Sequence, residues 1–313
     1  MARKIFIRVE REFGDLIGDG MKVVFRNMVP ILQGVMWYAF PFIAISMVIL
    51  ILTGSYKFML MPDEQMVGDF FAFLSSFSII GLGLAIGFVM INLIVYGALW
   101  DYDENDGAVT YVGIKEYIHR NWKNYMVSIL TETAIFGAVI LLIVGSLALS
   151  PLLFGVTYLL GVILLVFLYN ILQFLGIVRI EEGLGLSDGI NRCFYLLKNN
   201  WWSTFGVILV SSFIGSILMY AFIFPITMII AFLGALEVGG GGEDHSMLIN
   251  ILTGVFVILY AVIGILSNMY ISGVRGLKYY DLLEKKEATN LIKEIEAIGG
   301  KGQSSIFENE GNF

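Results

Sequence analysis

Charged residues in this chain come in clusters, and the stretches between clusters are almost wholly apolar. Five charge-free intervals exist: 30 residues between Arg26 and Lys57, 31 between Asp69 and Asp101, 46 between Glu132 and Arg179, 38 between Lys198 and Glu237, and 30 between Asp244 and Arg275. A helix crosses a bilayer with about 20 apolar residues, so each interval exceeds one crossing. The longest holds Ser150-Pro151 near its middle, where proline ends one helix and starts the next, which predicts two spans. The 38-residue interval is expected to be one span kinked at Pro225, with an extension beyond it. The pattern therefore predicts an all-α polytopic membrane protein with six transmembrane helices, near 31–55, 70–100, 124–148, 152–178, 202–232 and 248–274.

A second pattern precedes each pair of spans. In the first segment Phe13, Ile17, Met21, Val24 and Met28 recur at helical spacing, and in the third Leu186, Ile190, Phe194, Leu197 and Trp201 repeat the same offsets. Asp15 and Asp188 stand two residues into each pattern, where an acid favours a helix start. The middle copy keeps Tyr111, Ile114, Ile118 and Trp122 but has Val109 in place of the acid. All three segments end in an Asn followed by a large apolar residue: Arg26-Asn27-Met28, Arg120-Asn121-Trp122 and Asn199-Asn200-Trp201. This predicts three sequential, parallel helical hairpins, each preceded by an interfacial amphipathic helix, with units near 10–105, 106–183 and 184–275 of one domain covering 1–275. A cytoplasmic amphipathic helix is expected over 276–298 and a flexible tail over 299–313. Because every unit enters from one face, a pseudosymmetry axis would lie along the membrane normal, unlike that of inverted-repeat transporters.

Composition agrees with this plan and adds orientation. The chain has 313 residues, 58% hydrophobic and 14% charged, and a mean hydropathy of +0.83, which excludes a soluble globular protein. An even number of spans puts both termini on one side. With the segments before 30, 101–124, 179–200 and after 274 on that side, Lys57 is the one basic residue left across the membrane, out of 19. Lys and Arg resist translocation, so that side is expected to be the cytoplasm and the membrane a bacterial inner membrane. The formal charge of −7 reflects acids in the outer loops, among them Asp63, Glu64, Asp69, Glu237, Glu243 and Asp244, rather than an acidic partner surface. No large basic patch points to nucleic acid. Cys193 is the single cysteine and suits a reduced thiol. The first 30 residues lack the form of a signal peptide, so the first span is expected to act as an uncleaved anchor.

The Arg-Asn-Trp and Asn-Asn-Trp junctions, with the apolar stripe before each, resemble the interfacial-helix and two-span units of the YciC-like and glycerophosphoryl-diester-phosphodiesterase membrane-domain families over about 10–287. The resemblance implies a polytopic membrane domain, joined in some relatives to a soluble phosphodiesterase. No such domain is present in this sequence, and no catalytic residue carries over. Mitochondrial carriers also combine six spans with three repeats, but their Pro-x-[Asp/Glu]-x-x-[Lys/Arg] signature follows none of Pro30, Pro41, Pro62, Pro151 or Pro225.

Candidate chemistry is sparse. Glu132 is the one charge inside a span, about 10 Å below its entry at helical rise. Asn92, Asn170, Gln173 and Asn268 fall at comparable depth and with Glu132 compose a possible polar layer. That layer reads either as a binding site with a proton-linked carboxylate or as interhelical hydrogen-bonding glue. Trp122, Trp201 and Trp202, beside Arg120, Lys123 and Lys198, read as interfacial anchors, with a lipid-headgroup clamp as the alternative. Gly83 with Gly87, Ser211 with Gly215, and Ser212 with Ser216 predict close helix packing. Gly239 to Gly242 lacks the Lys-Ser/Thr of a phosphate loop and reads as an outer turn. His119 and His245 are assigned to opposite sides, so no metal or cofactor site is expected. Asp101, Asp103, Glu104 and Asp106 lack the spacing of a calcium loop and are expected to form a solvated turn. The expected function is a non-enzymatic module that engages membrane lipids, or a partner protein through its interfacial helices or C-terminal tail. The alternative is a transporter or channel for a small solute or lipid, using the layer around Glu132.

Overall fold

The computed structural model describes residues 5–52, 70–238 and 246–288. The outer loop containing Lys57, the Gly239 to Gly242 turn with His245, and the tail with Leu291, Ile295 and Ile298 lie outside the described residues.

The described chain is helical. Helices α1 (Phe13–Arg26) and α2 (Met28–Gly34) lead through a π turn, Val35–Ala39, into α3 (Phe40–Leu52); α4 (Phe70–Glu104), α5 (Tyr111–Leu147), α6 (Pro151–Leu172), α7 (Leu175–Glu181), α8 (Leu186–Leu197), α9 (Trp201–Val238) and α10 (Ser246–Glu287) follow. Six stretches are long and apolar enough to cross a membrane: Met28–Leu50, Ser78–Glu104, Tyr111–Leu147, Pro151–Glu181, Trp201–Leu233 and Ile251–Glu287. Local chemistry accounts for several boundaries. Pro41 has no N–H to return to the turn before it, and the wide π turn just upstream absorbs the mismatch. Ser150 caps α6, accepting from the Leu153 N–H at 3.1 Å, with Pro151 at the first helical position. Pro225 lies inside α9, which stays one helix of 38 residues.

Two expectations change. The middle interfacial segment and the third span form one continuous helix, α5, because Asn121 keeps helical backbone and is buried at 6% exposure. The separate helix expected from 276 is, as far as it is described, the continuation of the last span to Glu287. That end is buried on most sides, apolar Leu277, Tyr279, Tyr280, Leu282 and Leu283 together with charged Lys278 and Asp281, so it packs as core rather than lying amphipathic at a surface.

The three junctions share one burial register. Counted back from Asn27, Asn121 and Asn200, the third, fourth and seventh residues are buried in every copy: Val24, Val23 and Gly20; Ile118, Tyr117 and Ile114; Leu197, Leu196 and Cys193. Counted forward, the fourth and seventh are buried too: Ile31 and Gly34, Tyr125 and Ser128, Thr204 and Val207. The packed face is therefore rotated from the apolar stripe. Phe13 and Phe194 of that stripe are 45% and 42% exposed, and Phe25 and Tyr195 nearby are 40% and 46% exposed. Helices α1 and α8 thus have a packed side and an open apolar flank.

The described residues divide into two compact units, one within 5–19, 121–207 and 274–288, the other within 20–52, 70–120, 208–238 and 246–273. In the second unit α3 and α4 approach closely through Gly83 and Gly87, where a Cβ would strike Ser46 and Ile43. Gly215 packs on Ser267 and Ile271, and its carbonyl accepts from Ser267 Oγ at 3.2 Å. Ser216 is exposed, so the expected Ser212–Ser216 face is not a packed one. In the first unit Gly161 of α6 faces Ile143 of α5, and Gly176 of α7 faces the Tyr125 ring.

Candidate functional site

Within the first unit, polar chemistry gathers along one face of α5. Asn124, Ser128 and Glu132 follow at four-residue spacing, which stacks them on successive turns. Arg179, carried by α7 and 8% exposed, donates from Nη1 to the Asn124 carbonyl at 3.0 Å and to Ser128 Oγ at 2.9 Å. Its Nε donates to the Leu184 carbonyl at 3.4 Å. The absence of a side chain at Gly189 lets α8 press on the Arg179 stem, where a Cβ would come within 2.6 Å of Cγ. Glu132, one turn beyond Ser128, is half-buried, and the guanidinium of Arg275 on α10 acts on it electrostatically. By sequence Glu132 is the one charge inside a span, and Arg275, which closes the last charge-free interval, supplies its charged companion. Cys193 of α8 is fully buried, and burial, followed by the fields of Glu182 and Glu132, pushes its thiol up to about 12. It is an inert core residue at neutral pH.

The other members of the expected polar layer are held in two places. In the first unit Asn170 Nδ2 donates to the Trp201 carbonyl at 3.1 Å, and Gln173 Nε2 donates to the Asn170 carbonyl at 3.2 Å and lies 3.3 Å from its Oδ1. In the second unit Ser272 Oγ lies 2.5 Å from Asn92 Oδ1 and 2.7 Å from the Asn268 carbonyl, bridging the two asparagines. Glu132 is linked instead to Arg275, through its charge.

The anchors also divide. Trp122 is 45% exposed with Lys123 Nζ 5.8 Å from its ring centroid, and Trp202 is 77% exposed. Trp201 instead stacks on Phe205 and Phe167, with centroids 5.2 and 6.1 Å away, and its Nε1 is buried. It acts as a packing residue between α9 and α6. Arg120 sits over the Trp100 ring at 5.1 Å, and the Lys198 carbonyl accepts from Lys286 Nζ at 2.8 Å.

Three ionic groups stand at helix ends. Asp101, expected in a solvated turn, is 1% exposed. Its carboxylate accepts from Asn105 Nδ2 at 2.6 Å, the Thr110 N–H at 2.6 Å and Thr110 Oγ1 at 3.1 Å. It organises the turn into α5, and Gly113 leaves room for it. Asp281 and Lys278, both 0% exposed, form an ion pair at 2.7 Å near the end of α10. Asp281 also accepts from the Arg11 N–H at 2.9 Å and from Lys285 at 3.1 Å, and Lys278 Nζ reaches Ser203 Oγ at 3.5 Å. The Arg11 guanidinium donates to the carbonyls of Ile7 at 2.9 Å and Phe6 and to Asp19 at 3.4 Å; its own burial lowers its pKa despite Asp19. Arg192 on α8 joins the ends of α7 and α10 through Glu182 and Glu287, each at 2.6 Å, and Glu287 above all raises its pKa. The available sequence signal was the opposite charges of Lys278 and Asp281 at a spacing of three residues on one helix.

Among the described residues no group of three or more His, Cys, Asp or Glu side chains is arranged to hold a metal ion. No protein-family model matches this chain, and neither a curated protein nor a solved structure matches it. What the residues themselves carry is a multi-pass helical membrane architecture with ionic clusters gathered at helix ends.

Proposed function

We propose that the protein is a non-catalytic membrane module that engages lipids, or a partner protein, through its interfacial helices. The observation that carries this reading is the two-sidedness of α1 and α8. Each buries one face in a shared register and leaves Phe13 and Phe25, or Phe194 and Tyr195, exposed on the other. An amphipathic helix with an open aromatic flank is suited to the headgroup boundary of a bilayer. The burial register around Asn27, Asn121 and Asn200 supports a threefold repeat of interfacial segment and paired spans, and the likeness of those junctions to YciC-like domains points the same way. The distribution of basic residues supports a bacterial cytoplasmic membrane with both termini inside.

The polar residues support this reading more than a solute path. Arg179, Asn170, Gln173, Asn92 and Ser272 all donate to or accept from the protein itself. Native mass spectrometry of the gently purified protein is expected to show retained phospholipid or a bound protein partner. In parallel, vesicles containing the wild type and Glu132→Gln are expected to show equal, background solute flux. Flux that requires Glu132 would replace this proposal with transport.

A further inference from the structure

We infer that the open face of α8, between α6 and α10, binds one anionic glycerophospholipid, its phosphodiester held by Lys198 and Lys286 and one acyl chain following Phe194 onto α6. This rests on the lipid-binding reading above and names its ligand and its place. Asn191, Phe194, Tyr195 and Lys198 fall at offsets of 0, 3, 4 and 7 and are all exposed, so they form one side of α8 and its C-terminal cap. Two cations frame the Tyr195 ring: Arg192 Cζ lies 5.2 Å and Lys286 Nζ 5.3 Å from its centroid. The charge of Arg192 is engaged by Glu182 and Glu287. Those of Lys198 and Lys286 are not. Lys286 Nζ donates to the Lys198 carbonyl at 2.8 Å, and neither ammonium pairs with a carboxylate among the described residues. An ammonium has three donors, so Lys286 keeps two after that contact.

Charge at one end and apolar surface at the other select the occupant. Two neighbouring ammoniums without counter-charge complement a phosphodiester. Asp188, exposed and ten residues before Lys198, makes the far end of the face anionic, about 15 Å away at helical rise, which directs a phosphate to the lysine end. Phe194 meets Phe167 of α6 with ring centroids 6.4 Å apart. From Phe167 the exposed apolar surface continues along one face of that span through Leu164, Ile163 and Leu160. Trp202, exposed and packed edge-on against Trp201 at 4.7 Å, stands next to this contact and suits the glycerol and carbonyl depth. Three helices therefore build the site, with cations from α8 and α10 and apolar surface from α8 and α6. An acidic peptide would satisfy the lysines but could not follow Phe167 along a membrane-length helix, whereas a phospholipid carries both parts.

The test is native mass spectrometry of the full chain released from nanodiscs of equimolar phosphatidylglycerol and phosphatidylcholine. The samples are the wild type, Lys198→Gln, Lys198→Gln/Lys286→Gln, Phe194→Ala and, as a control at an exposed lysine elsewhere, Lys115→Gln. The wild type should retain phosphatidylglycerol in excess. Lys198→Gln should lower that excess about fivefold, the factor expected for one basic residue near a membrane surface, and the double variant should lower it further. Phe194→Ala should lower retention of both lipids, and Lys115→Gln should leave the excess unchanged. The Lys198 side chain is exposed, so its variant reports even if loss of the Lys286 contact loosens the end of α10. Equal retention of both lipids by the wild type, an excess unchanged in the lysine variants, retention untouched by Phe194→Ala, or an equal fall in Lys115→Gln would each overturn the site. A co-purified protein lost with Lys198→Gln would assign the lysines to an acidic partner and overturn it as well. Retained lipid that ignores every variant would leave the broader lipid-binding reading standing, whereas no retained lipid or partner in any sample would remove both.

Discussion

Buried ionic residues are where single substitutions should speak most loudly. Lys278 and Asp281 are wholly removed from solvent and hold each other at 2.7 Å. Asp281→Ala would leave the ammonium of Lys278 buried without its counterion and release the Arg11 N–H as well. Breaking such a pair destabilises by about 3–5 kcal/mol, whereas replacing both partners with apolar groups of similar size is near neutral. Asp281→Ala is therefore expected to lower the denaturation midpoint in detergent sharply, and Lys278→Met/Asp281→Leu to recover most of it. If the double variant melts with the single one, the pair is not what holds this end of α10. The asparagines at the three junctions show how one residue type serves three local needs. Asn27 folds its amide back onto the Val23 carbonyl at 2.9 Å. Asn121 is buried inside a continuous helix. Beside Asn200, Asn199 adopts a left-handed backbone with φ of 71°, a conformation asparagine tolerates better than most residues, and turns the chain from α8 into α9.

At the level of elements, the contrast between a continuous α5 and the broken α1–α2 and α8–α9 connections follows from what stands at each junction. No left-handed residue interrupts α5, and its start is held from outside by Asp101. That carboxylate satisfies the Thr110 N–H and hydroxyl near the helix's positive end, an arrangement worth about 1–2 kcal/mol in comparable caps. Asp101→Ala is expected to accelerate amide hydrogen exchange over residues 110–114 while exchange in α9 is unchanged. Exchange that rises equally along both helices would instead mean that Asp101 stabilises the whole fold. The Gly83 and Gly87 contact with α3 was readable from spacing alone, since small residues four apart on an apolar helix invite a close neighbour. That Trp201 turns inward while Trp202 faces out was not, because adjacent positions point about 100° apart and only the placement of Phe167 and Phe205 selects between them.

For the molecule as a whole, the testable property is orientation. A fluorescent protein that matures only in the cytoplasm, fused after Phe313, is expected to be bright, and a periplasm-dependent phosphatase at the same point to be silent. The opposite pair of results would invert the topology.

What the chain determines by itself is the number and approximate position of the membrane-length helices, because each needs only about 20 consecutive apolar residues and backbone hydrogen bonds satisfied within itself. The register of α1 and α8 was also partly visible, as a stripe, though the face that packs is turned from it. Which polar residues meet was decided by the tertiary structure. Arg179 reaches Ser128, Arg275 acts on Glu132 and Asp281 takes the Arg11 N–H across separations of 51, 143 and 270 residues. Local periodicity fixes the face of a helix on which a charge stands, but not the partner that the fold brings to that face.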